Sequence, residues 1–156
     1  MRAVIYKVFL IIIFGLLSVQ ILDIISIFGE KPDILLILTL YFAQRKGVME
    51  GQVIGFFSGL MEDFFSIQLF GIHCFVKMII GHITGFIHEN FVIDNAWVQV
   101  LLGLSAVFVQ GLLFILAKAI FDQIDVIYYV KTSLWIKMLY TAALTPLIFF
   151  LLNFLE

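Results

Sequence analysis

Residues 47–63 read GVMEGQVIGFFSGLMED, and this stretch decides the fold. Gly47, Gly51, Gly55 and Gly59 recur every fourth residue, and the next step is Asp63. On a helix all five fall along one slowly drifting stripe. The residues between them are mostly apolar: Val48, Met49, Val53, Ile54, Phe56, Phe57, Leu60 and Met61. Glycine costs roughly 1 kcal/mol per interior helical position in water, so four of them need a reason. In lipid that reason is close helix–helix approach, because small residues let two backbones touch. The stretch predicts a tightly packed membrane helix whose packing seam ends on an acid.

Composition agrees with that environment. Of 156 residues, 63% are hydrophobic and 13% charged, and the mean hydropathy is +1.17. A soluble domain of this length buries only about two thirds of its surface, which is too little to hide so much apolar area. The length suits a single integral-membrane domain over residues 1–156. A net charge of −2 gives no basic surface for nucleic acid. Cys74 is the only cysteine, so no intrachain disulfide forms.

Outward from the ladder, six apolar segments predict an all-α, polytopic transmembrane bundle of about six helices. The first spans Val4 to Ile27 behind Arg2 and Lys7, and reads as a retained helix rather than a signal peptide. The second, Ile34 to Ala43, and the third, Val48 to Met61, are short and separated by Arg45-Lys46-Gly47. At a helical rise they cover about 15 and 21 Å, against a bilayer core of about 30 Å. Re-entrant, tilted and flank-extended arrangements all suit them. Pro32 before Asp33 fits the first turn of the second helix, with the acid complementing the dipole. The remaining segments, Phe70 to Ile87, Ala96 to Phe121 and Ser133 to Leu155, are long enough to span. Trp97, Tyr128, Tyr129 and Trp135 sit near segment ends as interfacial anchors do, and Pro146 should kink the last helix. The bias of Arg2, Lys7, Arg45 and Lys46 over Lys31 and Lys131 favours cytoplasmic N- and C-termini.

Charges inside lipid are expensive and are functional candidates by default. The set is Glu50, Glu62, Asp63, Lys77, Lys118 and Lys137. Asp63 leads because it continues the glycine stripe, and Lys77 is its candidate counter-ion. His73, Lys77, Gly81 and Gly85 form a second stripe at spacing four, so the simplest packing sets the third helix against the fourth, glycine to glycine. A competing reading puts Asp63 at the membrane edge, capping a helix in water. Lys118 with Asp122, and Lys137, sit near helix ends where lysine snorkels. The spacings of His73, His82 and His88 do not make a metal pair, and no HExxH occurs. Ser58 before Gly59 suits close packing better than a serine nucleophile. Neither a cofactor nor an enzyme is expected, because no preorganised acid, base or nucleophile set is visible.

Pro32-Asp33-Ile34-Leu35-Leu36, the run Gly55-Phe56-Phe57-Ser58-Gly59-Leu60-Met61-Glu62-Asp63, and Gly71 eight residues on resemble the MreD family. The motif core is Pro32 to Gly85, and the last two helices match only in hydrophobicity. The resemblance implies an inner-membrane, multi-pass, non-enzymatic scaffold of the bacterial cell-wall elongation machinery, supporting cell shape and peptidoglycan synthesis. The partners it implies are MreC, RodA with its transpeptidase, and the MreB filament, besides membrane lipid. The layout is also similar to the six-helix substrate-binding subunits of energy-coupling-factor transporters. That keeps a second function in view, a small-molecule-binding transporter subunit with Asp63, His73, Lys77 and His82 around a midplane pocket. An Ala-x-x-x-Ala docking pattern is missing from Phe9–Ser18, which favours the scaffold.

Overall fold

A computed structural model describes residues 9–16, 31–66, 70–88, 95–121 and 134–155. Every regular element among them is helical. We number them α1 (residues 9–16), α2 (Ile34–Lys46), α3 (Val48–Phe65), α4 (Ile72–His88), α5 (Ala96–Phe121) and α6 (Leu134–Leu155). Tyr128, Tyr129, Asp122, Lys131, Arg2, Lys7 and the flanks of the first apolar segment lie outside the described residues, as does the Lys118 side chain.

The second and third segments are longer than their apolar cores predict. Helix α2 gains Gln44, Arg45 and Lys46, while α3 runs on through Glu62 and Asp63 to Phe65. Asp33 starts α2 as its N-cap, accepting a hydrogen bond from the Leu36 amide at 2.8 Å. Pro32 therefore precedes the helix rather than occupying its first turn. Gly47 departs from the expected ladder in the same way. It is not part of α3 but the single residue between α2 and α3, at φ 86° and ψ −167°. Backbone of that hand is strained for any residue with a Cβ.

Helix α2 lies at the centre. Every residue from Leu35 to Gln44 is buried, and around them Ile54, Val76, Ile80, Phe149 and Leu152 complete the core. Leu10, Ile11 and Phe14 of α1 join it, and a Cβ on Gly15 would press into the Met61 side chain. Tyr41 packs edge-on against Phe149, ring centroids 5.3 Å apart, and its hydroxyl donates to Asn153 Oδ1 at 3.0 Å.

Glycine against backbone is the contact between α3 and α4. A Cβ on Gly51 would fall on the Gly81 carbonyl, on Gly55 on the Lys77 carbonyl, and on Gly59 on His73 and Cys74 backbone. A Cβ on Gly85 would meet Val48 and the Gly47 carbonyl carbon, so Gly47 takes part through its main chain. The α5–α6 pair repeats the device more loosely, with Gly103 against Thr145 and Ala142, and Gly111 against the Leu134 side chain.

Among the described residues, α5 and α6 contain the two stretches long and apolar enough to cross a membrane, Ala96–Leu116 and Leu134–Phe154. Helix α6 continues through Pro146. Large apolar side chains cover the outside of the bundle, among them Trp97, Leu101, Phe108, Leu139, Phe150 and Phe154. Trp97 and Trp135 stand at the first turns of α5 and α6, both exposed.

Candidate functional site

The end of the bundle where α2 begins holds the densest set of buried polar groups. Asp33 is its hub, although the sequence singles it out only as a helix start. Its position at the N-cap turns the carboxylate back over the first turn of α2, where the Leu36 amide holds Oδ1. The same oxygen accepts from Lys77 Nζ of α4 at 2.6 Å. Oδ2 accepts from Gln110 Nε2 of α5 at 2.7 Å, with Lys137 Nζ of α6 at 3.6 Å. The Asp33 amide in turn donates to Thr141 Oγ1 of α6 at 3.1 Å. One aspartate thus joins four helices.

Lys77 is fully buried, and its ammonium lies between two carboxylates. Glu62 Oε2 of α3 is 2.6 Å from it, with Asp33 on the other side. Burying a lysine without such partners would cost several kcal/mol, so these acids are a condition of its position. Helical spacing sets His73 one turn before Lys77. The His73 ring stacks at a tilt on Phe114, centroids 4.6 Å apart, and Nδ1 lies 3.2 Å from Glu62 Oε2. Neither ring nitrogen has a hydrogen bond, nor does Gln110 Oε1, and all three are buried.

Asp63 does not pair with Lys77. Its carboxylate caps α4 instead: Oδ1 accepts from the His73 amide at 3.1 Å and Oδ2 from the Cys74 amide at 3.0 Å. These are among the donors that a helix start leaves unmet, and the positive end of the α4 dipole adds to the attraction. Gly71, at φ 99°, makes the turn into that cap. The edge reading had Asp63 capping in water, but the residue is buried at 2% exposure and the helix it caps is α4.

The expected residues thus divide. Asp33, His73 and Lys77 meet in one network, with Glu62 and Lys137. Asp63 borders it through backbone, and Gly51, Gly55, Gly59, Gly81 and Gly85 form the seam that leads into it. His82 lies elsewhere, exposed and 3.0 Å from Gln52, so the four residues of the transporter pocket do not converge. Lys137, expected to snorkel, points instead to Asp33 with its side chain 20% exposed. Ser58 is fully buried against the seam, its hydroxyl without a hydrogen bond. Cys74 Sγ donates to the Phe56 carbonyl at 3.3 Å. Among the described residues no group of His, Cys, Asp and Glu is arranged to hold a metal. Gln110 and Thr141 escape sequence reading, because a lone amide or hydroxyl in an apolar helix has no motif. Their one signal is Gln110, a strongly polar amide in the middle of a predominantly apolar span.

Chemically, the network suits holding helices together in a medium that offers no water. Among the described residues, grooves open elsewhere on the surface. One of about 160 Å3 lies between Ile11 and Ile12 of α1 and Phe57, Leu60, Met61 and Phe64 of α3. A smaller one, about 50 Å3, separates the Ile80–Ile87 half of α4 from the Leu102–Val109 half of α5.

A family model described as rod shape-determining protein MreD matches residues 1–155 of this chain. Comparisons with curated proteins and with solved structures return no match.

Proposed function

The chain belongs to the MreD family, and from that premise we propose that it is a non-enzymatic, multi-pass membrane scaffold of the cell-wall elongation machinery. The family carries a role in rod-shape determination. In the reading proposed here the chain does this by binding MreC in the membrane. It thereby supports peptidoglycan synthesis by RodA and its transpeptidase partner, near the MreB filament, with both termini cytoplasmic. One observation supports it above others. The buried charges are spent inside the bundle, while the outer faces of α3, α5 and α6 present large apolar side chains. Such a molecule offers a rigid apolar surface to lipid and to another protein's transmembrane helix.

Co-purification from native membranes in mild detergent, with mass spectrometry of the bound proteins, tests this. MreC and the elongation synthase are the expected companions. Recovery of an ATPase with its membrane coupling subunit would overturn the scaffold in favour of a transporter subunit.

A further inference from the structure

At the end of the bundle away from Asp33, one cation is held in place by neutral groups alone. We propose that Arg45 and Asn153 bind the phosphodiester of a membrane phospholipid there, with the lipid's acyl chain lying along α6.

Arg45 stands in the last turn of α2 and Asn153 in the last turn of α6. Arg45 Nη2 donates to Asn153 Oδ1 at 2.5 Å. The Tyr41 hydroxyl, one turn back on α2, donates to the same oxygen at 3.0 Å. The guanidinium carbon also lies 5.8 Å from the centre of the Tyr41 ring, within reach of a cation–π attraction. Tyr41 itself is fixed, because its ring is buried edge-on against Phe42 and Phe149. An exposed arginine ordinarily gives up rotamer freedom when it binds. Here the fold has already ordered Arg45, which is exposed, so a ligand meets a preformed donor.

The chemistry of the pair is one-sided. Both neighbours of Asn153 Oδ1 donate to it, so the amide keeps its oxygen toward them and its Nδ2 is left for another acceptor. A guanidinium carries donors only, and Arg45 uses one of them on Asn153. Among the described residues no carboxylate pairs with Arg45, and Lys46 beside it is exposed as well. Open N–H groups around an uncompensated positive charge call for an oxyanion.

Depth selects which oxyanion. The span Leu134–Phe154 is long and apolar enough to cross a membrane, and Asn153 is next to last in it. Its length at a helical rise is about 30 Å, the thickness of a hydrocarbon core. Asn153 and Arg45 therefore stand where the phosphates of one leaflet lie. Leu147, Phe150 and Phe154 are strongly exposed on α6 and recur at helical spacing, an apolar track beside Asn153. A phosphodiester on Arg45 with its chain on this track uses both halves of the surface, whereas inorganic phosphate uses one. An anionic headgroup suits the unbalanced guanidinium better than a zwitterionic one, whose amine brings a second cation to it.

Native mass spectrometry of the full chain released from detergent micelles tests this, with phosphatidylglycerol, phosphatidylcholine or inorganic phosphate titrated in at equal concentration. One phosphatidylglycerol should be retained in preference to phosphatidylcholine. Arg45→Lys keeps the charge and loses the planar fork, and Asn153→Asp sets a carboxylate against the phosphate. Each should weaken retention about tenfold. Lys46→Gln removes a charge from the same turn and should weaken it no more than about twofold. Thermal midpoints in lipid-free detergent separate lost binding from lost folding. Retention at the wild-type level in folded Arg45→Lys and Asn153→Asp overturns the proposal, as does a loss in Lys46→Gln equal to theirs or no preference between the two lipids. Inorganic phosphate that raises the midpoint as far as phosphatidylglycerol does would make this a free-anion site and overturn the lipid assignment.

Discussion

Between α3 and α4 the contact is backbone against backbone, made possible by side chains that are missing. Around Asp33 it is polar group against polar group, drawn from four helices. The first contact runs along two neighbours in sequence and repeats every turn. The second meets at a single point, and its partners lie 44, 77 and 108 residues apart along the chain. A periodic seam tolerates no added volume at any step. A point junction fails instead when one member is removed and the rest are left unpaired.

Substitutions can separate these two modes. The largest effect is expected from Gly59→Leu, with Gly55→Leu close behind. Both would drive a side chain into α4 backbone, which cannot give way as a flexible side chain can. Overpacking costs about 1–3 kcal/mol where side chains can give way; here only backbone faces the new side chain, the helices themselves must part, and the loss should exceed that of every substitution below, leaving little folded monomer after detergent extraction. If Gly59→Leu instead keeps the wild-type elution profile and still captures MreC, the seam is not the rigid element described.

Lys77→Met comes next. Removing the ammonium leaves Asp33 and Glu62 facing each other without it, a loss of about 3–5 kcal/mol for a broken buried pair. Thermal unfolding in detergent would measure it. The double variant Asp33→Asn with Lys77→Met should lose less than the two singles summed, because the second change removes a charge already stranded. Strict additivity would mean the two residues do not act as a pair. Asp63→Ala is smaller, about 1 kcal/mol, in the range of a lost helix cap. Hydrogen exchange at the His73 and Cys74 amides should rise in that variant and not elsewhere. Of similar size is Gly71→Ala, which forces a Cβ onto a left-handed turn but meets no atom within 4 Å. A cost of about 1 kcal/mol follows from backbone conformation alone.

The two regions were not equally legible in the sequence. The stripe of Gly51, Gly55, Gly59, Gly81 and Gly85 shows itself because helical packing is periodic and sequence is read with the same period. Gly47 shares that spacing yet leaves the helix, since a periodic match cannot tell the last step of a ladder from the turn before it. Asp63 was legible as an important acid but not in its partner. A buried acid calls for a counter-ion, whereas the start of α4 supplies two amides. Asp33 was seen only as a local cap, because what brings Gln110, Lys137 and Thr141 to it is the folding of distant segments. Lys137 looked like a residue reaching for water because its depth is set by α2, not by its own helix. Membership of the MreD family carries the role in shape; no residue pattern by itself names the cell wall.

A seam that repeats every four residues has a weakness of its own. If α4 slid along α3 by one turn, about 5.4 Å, small residues would still oppose backbone at several steps, and the fit would be nearly as good. The glycines grip without choosing a notch. Asp63 helps make the choice, its two oxygens met by the amides of His73 and Cys74, beside the Glu62–Lys77 ion pair between the same two helices. The acid at the end of the ladder is therefore part of the stop that tells the two helices where along one another to halt.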